Sequence, residues 1–276
     1  MPRLRSLLFA PGNAPDVLAK LPRSGPDGAV IDLEDAVPTH AKGEARIIAR
    51  QAATELASEV ALLVRVNSVM TDWFEADVAE ALVPALAGVV VPKLESADQV
   101  NLVSAALDRA GLDSVPIVAG VETAAGVARA EEALEPDRVV AAYFGAEDYI
   151  ADMGGRRTAA NAEVLYARSK VALAARLGGA TAIDQVVTEL RDEDVFVADA
   201  EQGRALGYRG KLCIHPALVP WATRVFSPSE DELDRARRVV EAYDAATTEG
   251  RAAIEFEGQM VDEPLARQAR SILEAD

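Results

Sequence analysis

Short apolar runs rich in β-branched residues recur along the chain, each closed by charged residues, glycine or proline. Eight stand out: Ser6–Ala10, Ala29–Leu33, Leu62–Val66, Gly88–Val91, Pro116–Val121, Val139–Phe144, Ala180–Ile183 and Lys211–Ile214. They are continuously apolar rather than alternating, the pattern of parallel strands covered on both faces. Most of the intervals hold segments with the apolar spacing of amphipathic helices: Gln51–Ala57, Asp98–Ala110, Ala124–Leu134, Asn161–Leu177 and Asp199–Leu206. Eightfold strand–helix alternation over about 250 residues predicts an α/β fold, the (β/α)8 TIM barrel. An open doubly wound sheet is the rival, and no Gly-x-Gly-x-x-Gly follows the first run to support it.

A Pro/Ser-rich break comes only at Phe226-Ser227-Pro228-Ser229. Residues 1–226 are therefore expected to form the barrel and 227–276 a C-terminal extension. In the extension Glu230–Ala246 reads as a helix, Thr247–Gly250 as a turn and the remainder as an arm.

Composition narrows the chemistry. The net charge of −17, from 45 acidic and 28 basic residues, would repel a phosphate backbone, so no nucleic-acid partner is expected. No run approaches the roughly 18 apolar residues of a membrane span. The apolar stretch near the N-terminus stops at Pro11-Gly12, too short for a secretory signal. One cysteine, Cys213, allows no internal disulfide and suits the cytoplasm. With two histidines, His40 and His215, a zinc cluster cannot be assembled, and any metal must sit among oxygens.

In a TIM barrel the chemistry gathers at the C-terminal strand ends. There the sequence sets Glu34-Asp35, Arg65 with Asn67, Lys93 with Glu95, Glu122, Glu147-Asp148, Asp184 and His215. Glu122 and Asp148 follow consecutive strands, which lie about 4.8 Å apart. Two carboxylates so close repel unless a cation or a proton lies between them, and with oxygen ligands the fitting ion is Mg2+ or Mn2+. The competing reading is that each caps the helix that follows. Arg65 would aim its fork into the mouth to hold a carboxylate or enolate oxygen, to pair with Glu34 or Asp35, or both. Gly145-Ala146-Glu147-Asp148 is a glycine-led turn whose N–H groups could converge on an anion, although glycine after a strand is commonly plain turn chemistry. His215 reads as bonded to a neighbour rather than catalytic, Cys213 as a small core residue, and Trp73 and Trp221 as packing.

The segments Ser6–Gly12, Asp32–Val37, Val64–Asn67, Pro92–Ser96, Val121–Gly126, Gly145–Asp148, Cys213–Pro216 and Glu257–Pro264 together resemble the citrate lyase β-subunit-like proteins of the HpcH/HpaI aldolase superfamily. That resemblance implies a Mg2+-dependent enzyme acting on coenzyme A or acyl-carrier-protein thioesters. It implies that Glu122 and Asp148 hold the metal, that Arg65 contacts the oxo-acid oxygen, and that the turn of Gly145, Ala146 and Glu147 helps hold its carboxylate. It also implies that Glu34 and Asp35 stand beside the metal's waters. Asp262 would be the acid/base at the thioester α-carbon, carried on a lid over a neighbouring subunit of a homotrimer. The superfamily's pyruvate aldolases carry a histidine where this chain has Asp35 and lack the lid, which separates them from it. The expected reaction is carbon–carbon cleavage or synthesis on a small β-hydroxyacyl-CoA such as citryl-, malyl- or citramalyl-CoA. A CoA-independent class II aldolase and a subunit working with an acyl carrier protein are the alternatives. Lys42 and Arg46, one turn apart after Asp35, are candidate contacts for coenzyme A phosphates, against a solvated helix face.

Overall fold

A computed structural model describes residues 3–274. The eight apolar runs become strands β1 (Ser6–Pro11), β2 (Gly28–Asp32), β3 (Leu62–Arg65), β4 (Gly88–Val91), β5 (Ile117–Val121), β6 (Val139–Phe144), β7 (Thr181–Asp184) and β8 (Gly210–Cys213). All neighbours pair in parallel, and β8 closes on β1 through Ser6↔Lys211, Leu7↔Leu212 and Leu8↔Cys213. The expected barrel is thus closed, with no open edge.

Helices fill the connections: α1 (Pro15–Leu18), α2 (Lys42–Leu56), α3 (Phe74–Ala81), α4 (Ala97–Arg109), α5 (Ala124–Ala128), α6 (Ala130–Ala133), α7 (Ala146–Asp152), α8 (Leu165–Leu177), α9 (Glu193–Ala205) and α10 (Val219–Val225). The single helix expected over Ala124–Leu134 breaks at Arg129, whose backbone (φ −111°, ψ 22°) leaves helical geometry. Among the described residues no helix is long and apolar enough to cross a membrane.

Period-two alternation decides what enters the barrel. Leu7, Val30, Leu63, Val90, Val118, Ala141, Ile183 and Leu212 form a buried apolar plug. Two residues further along their strands, Asp32, Arg65, Gly120 and Tyr143 occupy the next inward layer, so the polar groups of the mouth rest on a dry floor.

The walls at β7 and β8 hold a buried charge network. Arg168 of α8, fully buried, grips Asp184 with Nε on Oδ1 at 2.8 Å and Nη2 on Oδ2 at 2.6 Å. Lys211 donates to Asp184 Oδ2 at 2.6 Å and also reaches Asp199 of α9. Each buried charge is paired, as burial demands.

The chain divides into two compact units after Thr223. The second contains α11 (Glu230–Thr248), the antiparallel strands β9 (Ala253–Phe256) and β10 (Gln259–Asp262), and α12 (Glu263–Glu274). Ser229 starts α11 with a reciprocal capping box to Glu232. The hairpin turns at Glu257-Gly258, both left-handed at φ 50° and 77°. Ala236, Val239, Tyr243, Val261, Ala266 and Ala269 form this unit's apolar centre.

The network makes Arg168 a stability residue. Arg168→Leu strips Asp184 of its bidentate partner in a dry site and should cost about 3–5 kcal/mol in urea unfolding. A loss below about 1 kcal/mol would mean that Lys211 alone satisfies Asp184.

Candidate active site

The site begins with a cross-strand pair. Asp32 and Arg65 are register partners on β2 and β3, and both point inward. Arg65 donates from Nε to Asp32 Oδ1 at 2.7 Å and from Nη2 to Oδ2 at 2.6 Å. Its Nη1 lies 3.1 Å from Glu34 Oε2, and the guanidinium sits 5.3 Å over the Phe9 ring. Burial works against its charge, but the pairing with Asp32 outweighs it and holds Arg65 well above the ordinary arginine value. The principal partner is therefore Asp32, which sequence reasoning passed over as part of a strand. Glu34 is the second partner, and Asp35 instead lies 3.7 Å from the Lys93 ammonium.

Glu122 follows β5 and is buried. Its Oε1 accepts from the Lys93 backbone N–H at 3.0 Å and from the Tyr143 hydroxyl at 3.1 Å. Two glycines make this arrangement fit. A Cβ on Gly120 would collide with the Tyr143 hydroxyl, and one on Gly145 would collide with Glu122 Oε2. Burial and the neighbouring Glu34 push the Glu122 carboxyl up to about 7. Burial likewise raises Glu34, against the pull of Arg65. Asp148 stands in the first turn of α7, its Oδ1 3.5 Å from Lys93 Nζ. Lys93 Nζ donates to Glu34 Oε1 at 2.6 Å. The mouth thus gathers Asp32, Glu34, Asp35, Glu122 and Asp148 around two cations, Arg65 and Lys93.

Among the described residues no three Asp, Glu, His or Cys side chains are grouped closely enough to hold a metal by themselves. A surplus of carboxylate over positive charge with only oxygen donors nonetheless suits Mg2+, which binds through one or two carboxylates and completes its shell with water and substrate. Glu34 Oε2 is buried and makes no hydrogen bond, although the Arg65 guanidinium lies 3.1 Å away, so its lone pairs can accept from a metal-bound water. The residues present fit the ion.

These groups border a cavity of about 440 Å³ lined by Asp32, Arg65, Glu122, Tyr143 and Gly145–Asp148, with Phe9, Leu212 and Ile214 as its apolar side. Ala146, Glu147 and Asp148, the first residues of α7, are among its lining, and a helix leaves its first N–H groups with no internal acceptor.

The remaining candidates have other employment. Lys42 is buried, and its ammonium donates to Leu33 O (2.8 Å), Glu34 O (3.0 Å) and Asn67 Oδ1 (2.7 Å). Arg46 donates to the buried Asp77 at 2.7 Å. Both were candidate coenzyme A contacts. The structure corrects this, because Lys42 spends all three donors inside the fold and Arg46 braces α2 against α3. His215 Nδ1 accepts from Ala217 N at 3.2 Å and so caps a turn, as expected. Cys213 is buried, its thiol pushed up to about 12 by burial. Asp262 belongs to the second unit, where it ends β10, and Oδ1 lies 3.5 Å from Leu265 N at the start of α12.

Comparison with known proteins adds identity to geometry. Residues 5–216 match the HpcH/HpaI aldolase/citrate lyase family. The chain is 55% identical to a citrate lyase subunit beta-like protein of Deinococcus radiodurans, covering 98% of this chain and 96% of that one. It is 31% identical to the mitochondrial citramalyl-CoA lyase of Rattus norvegicus over 98% of this chain and 85% of the relative. The crystal structure of the CitE protein of Mycobacterium tuberculosis with magnesium, acetoacetate and coenzyme A superposes with a TM-score of 0.83 at 33% identity, covering 98% and 97% of the two chains. The chain belongs to the HpcH/HpaI aldolase/citrate lyase family.

Proposed function

We propose that this protein is a Mg2+-dependent carbon–carbon lyase that breaks or forms the Cα–Cβ bond of a small β-hydroxyacyl-CoA, of the citryl, malyl or citramalyl type. The observation that carries the reading is the acid-rich barrel mouth in which Glu122 and Asp148 flank Lys93 beside a fixed Arg65. Membership of a family with a citramalyl-CoA lyase and a magnesium- and coenzyme A-bound CitE supports it.

In this reading Glu122 and Asp148 hold the cation, which supplies Lewis acidity to the β-hydroxyl or oxo oxygen. Arg65, locked by Asp32, presents a charge that needs no reorganisation during reaction. Glu34 and Asp35 accept hydrogen bonds beside it. The N–H groups of Ala146 and Glu147 receive the oxo-acid carboxylate, whereas that of Gly145, expected to join them, is spent on Val121 O at 3.2 Å. In cleavage the β-hydroxyl gives its proton to Glu34, the electrons of the Cα–Cβ bond pass to the thioester as an enolate, the oxo acid departs, and protonated Asp262 gives a proton to Cα. Solvent water carries the proton from Glu34 back to Asp262 between turnovers. Synthesis reverses these steps, with Asp262 removing the α-proton. We take Asp262 to come from a neighbouring subunit of a homotrimer; it sits beside the exposed Met260 on a hairpin arm. The reaction belongs to the cytoplasm, where a lone thiol stays reduced. Incubation with Mg2+ and citryl-, malyl- or citramalyl-CoA, with products identified by mass, tests the whole. Cleavage undiminished by a chelator would remove the metal from it.

The raised carboxyl of Glu122 gives a pH prediction. Below about pH 4.5 it is protonated in folded and unfolded chains alike, at no cost. As pH rises towards 7 the unfolded chain loses this proton while the folded one keeps it, so metal-free stability falls, by about 3 kcal/mol in full. Glu122→Gln should therefore melt higher than wild type in chelator at pH 8 while losing the heat of Mg2+ binding in calorimetry. Equal Mg2+ affinity in both proteins would take Glu122 out of the metal site.

Arg65→Lys replaces a two-pronged grip on Asp32 by a point charge. It should lower kcat/KM by about 10²-fold or more, with a smaller effect on Mg2+ affinity. Unchanged steady-state kinetics would leave Arg65 a purely structural partner of Asp32.

Asp262→Asn should keep Mg2+ and oxo-acid binding yet lose exchange of the acyl α-protons with deuterated water, followed by NMR. Mixing it with Glu122→Gln protein should return activity, because a hybrid oligomer pairs an intact barrel with an intact arm. Verified hybrids without activity would confine Asp262 to its own chain or deny it the role.

A further inference from the structure

Lys93 is one of three non-glycine residues at left-handed φ among the described residues, at 55°. An L-residue adopts that conformation only where its surroundings hold it there. The hold is visible: the strained backbone directs its N–H to Glu122 Oε1 at 3.0 Å. The same residue sends its ammonium to Glu34 at 2.6 Å and to within 3.5 Å of Asp148 and 3.7 Å of Asp35. Lys93 therefore touches, with its two ends, both carboxylates to which the metal is assigned. A glycine would take this backbone without strain, so what the lysine adds is its charge.

The two cations of the mouth are not equivalent. Arg65 is clamped by two parallel bonds to Asp32, whereas Lys93 is a flexible stem with a single close partner and a side chain 30% exposed. Of the two, Lys93 is the one that can give way. Its ammonium and a divalent cation seek the same acids, and each disfavours the other reciprocally.

We infer that Lys93 is the built-in counter-cation of the mouth: it holds the acid cluster together in the metal-free protein and weakens the binding of the divalent cation by competing for Glu34 and Asp148. This rests on the assignment of the metal to Glu122 and Asp148. One consequence concerns binding order. An oxo acid brings negative charge that offsets the ammonium, so metal and oxo acid bind more tightly together than apart.

The test is calorimetric titration of Mg2+ into wild type, Lys93→Met, Lys93→Gly and Lys93→Arg at pH 8.5, with thermal unfolding in chelator alongside. Removing one positive charge a few ångströms from the ion should tighten Mg2+ binding about tenfold or more in the Met and Gly variants. Lys93→Arg, which keeps the charge, should stay close to wild type. Lys93→Met should also melt lower than wild type in chelator and gain more from added Mg2+. Lys93→Gly removes the backbone strain together with the charge, so a tight Kd common to Met and Gly is an effect of charge. Mg2+ affinity that is unchanged or weaker in both, with clear binding by wild type, overturns the role of Lys93 and leaves the metal assignment standing. No binding by wild type overturns both.

Discussion

Repulsion among carboxylates governs this barrel mouth. Asp32, Glu34, Asp35, Glu122 and Asp148 converge at one mouth, and their like charges repel one another most where Glu34 and Glu122 are buried. The other polar features of the mouth answer that pressure. Arg65 neutralises Asp32 and reaches Glu34, Tyr143 and a backbone N–H stabilise Glu122, and the Lys93 ammonium fills the space between loops. The balance left over is negative, a charge that suits a small hard cation. Function here amounts to an unfinished electrostatic balance held rigid by strands.

Much of this was legible because burial leaves a plain signature. Strands covered on both faces read as unbroken apolar runs, so their limits were found to within about a residue, as were the acids that close them. What escaped notice sits inside those runs. Asp32 and Tyr143 belong to strands by every local criterion, and only the alternation into the barrel shows that both face the mouth. The left-handed backbone of Lys93 leaves no mark in a sequence, since lysine there looks like any cation after a strand. Helical spacing misread Lys42 and Arg46, because two cations one turn apart describe a solvated face as well as a buried one. The carbonyls of Leu33 and Glu34 and the carboxylate of Asp77 drew them inward. Short helices such as α3 and α7 have too few turns for periodicity to show.

The two glycines beside Glu122 explain why a polar site can be packed so closely. Gly120 admits the Tyr143 hydroxyl beneath the carboxylate, and Gly145 lets the start of α7 approach it from above. The carboxylate is thus confined on two sides by absent side chains rather than by bulky ones, which fixes its position without narrowing the cavity where substrate must enter.

The buried Arg168–Asp184–Lys211–Asp199 network bears on how the chain reaches its native state. Its members come from α8, β7, α9 and β8, the last quarter of the barrel to emerge in sequence. An assembly lacking β8 has no Lys211, and Arg168 alone then faces the carboxylates of both Asp184 and Asp199. Two carboxylates against one guanidinium leave a net negative charge, so burying this corner costs less with the final strand seated on β1. The strand that seals the barrel against β1 thus also carries the charge that balances its last buried acids.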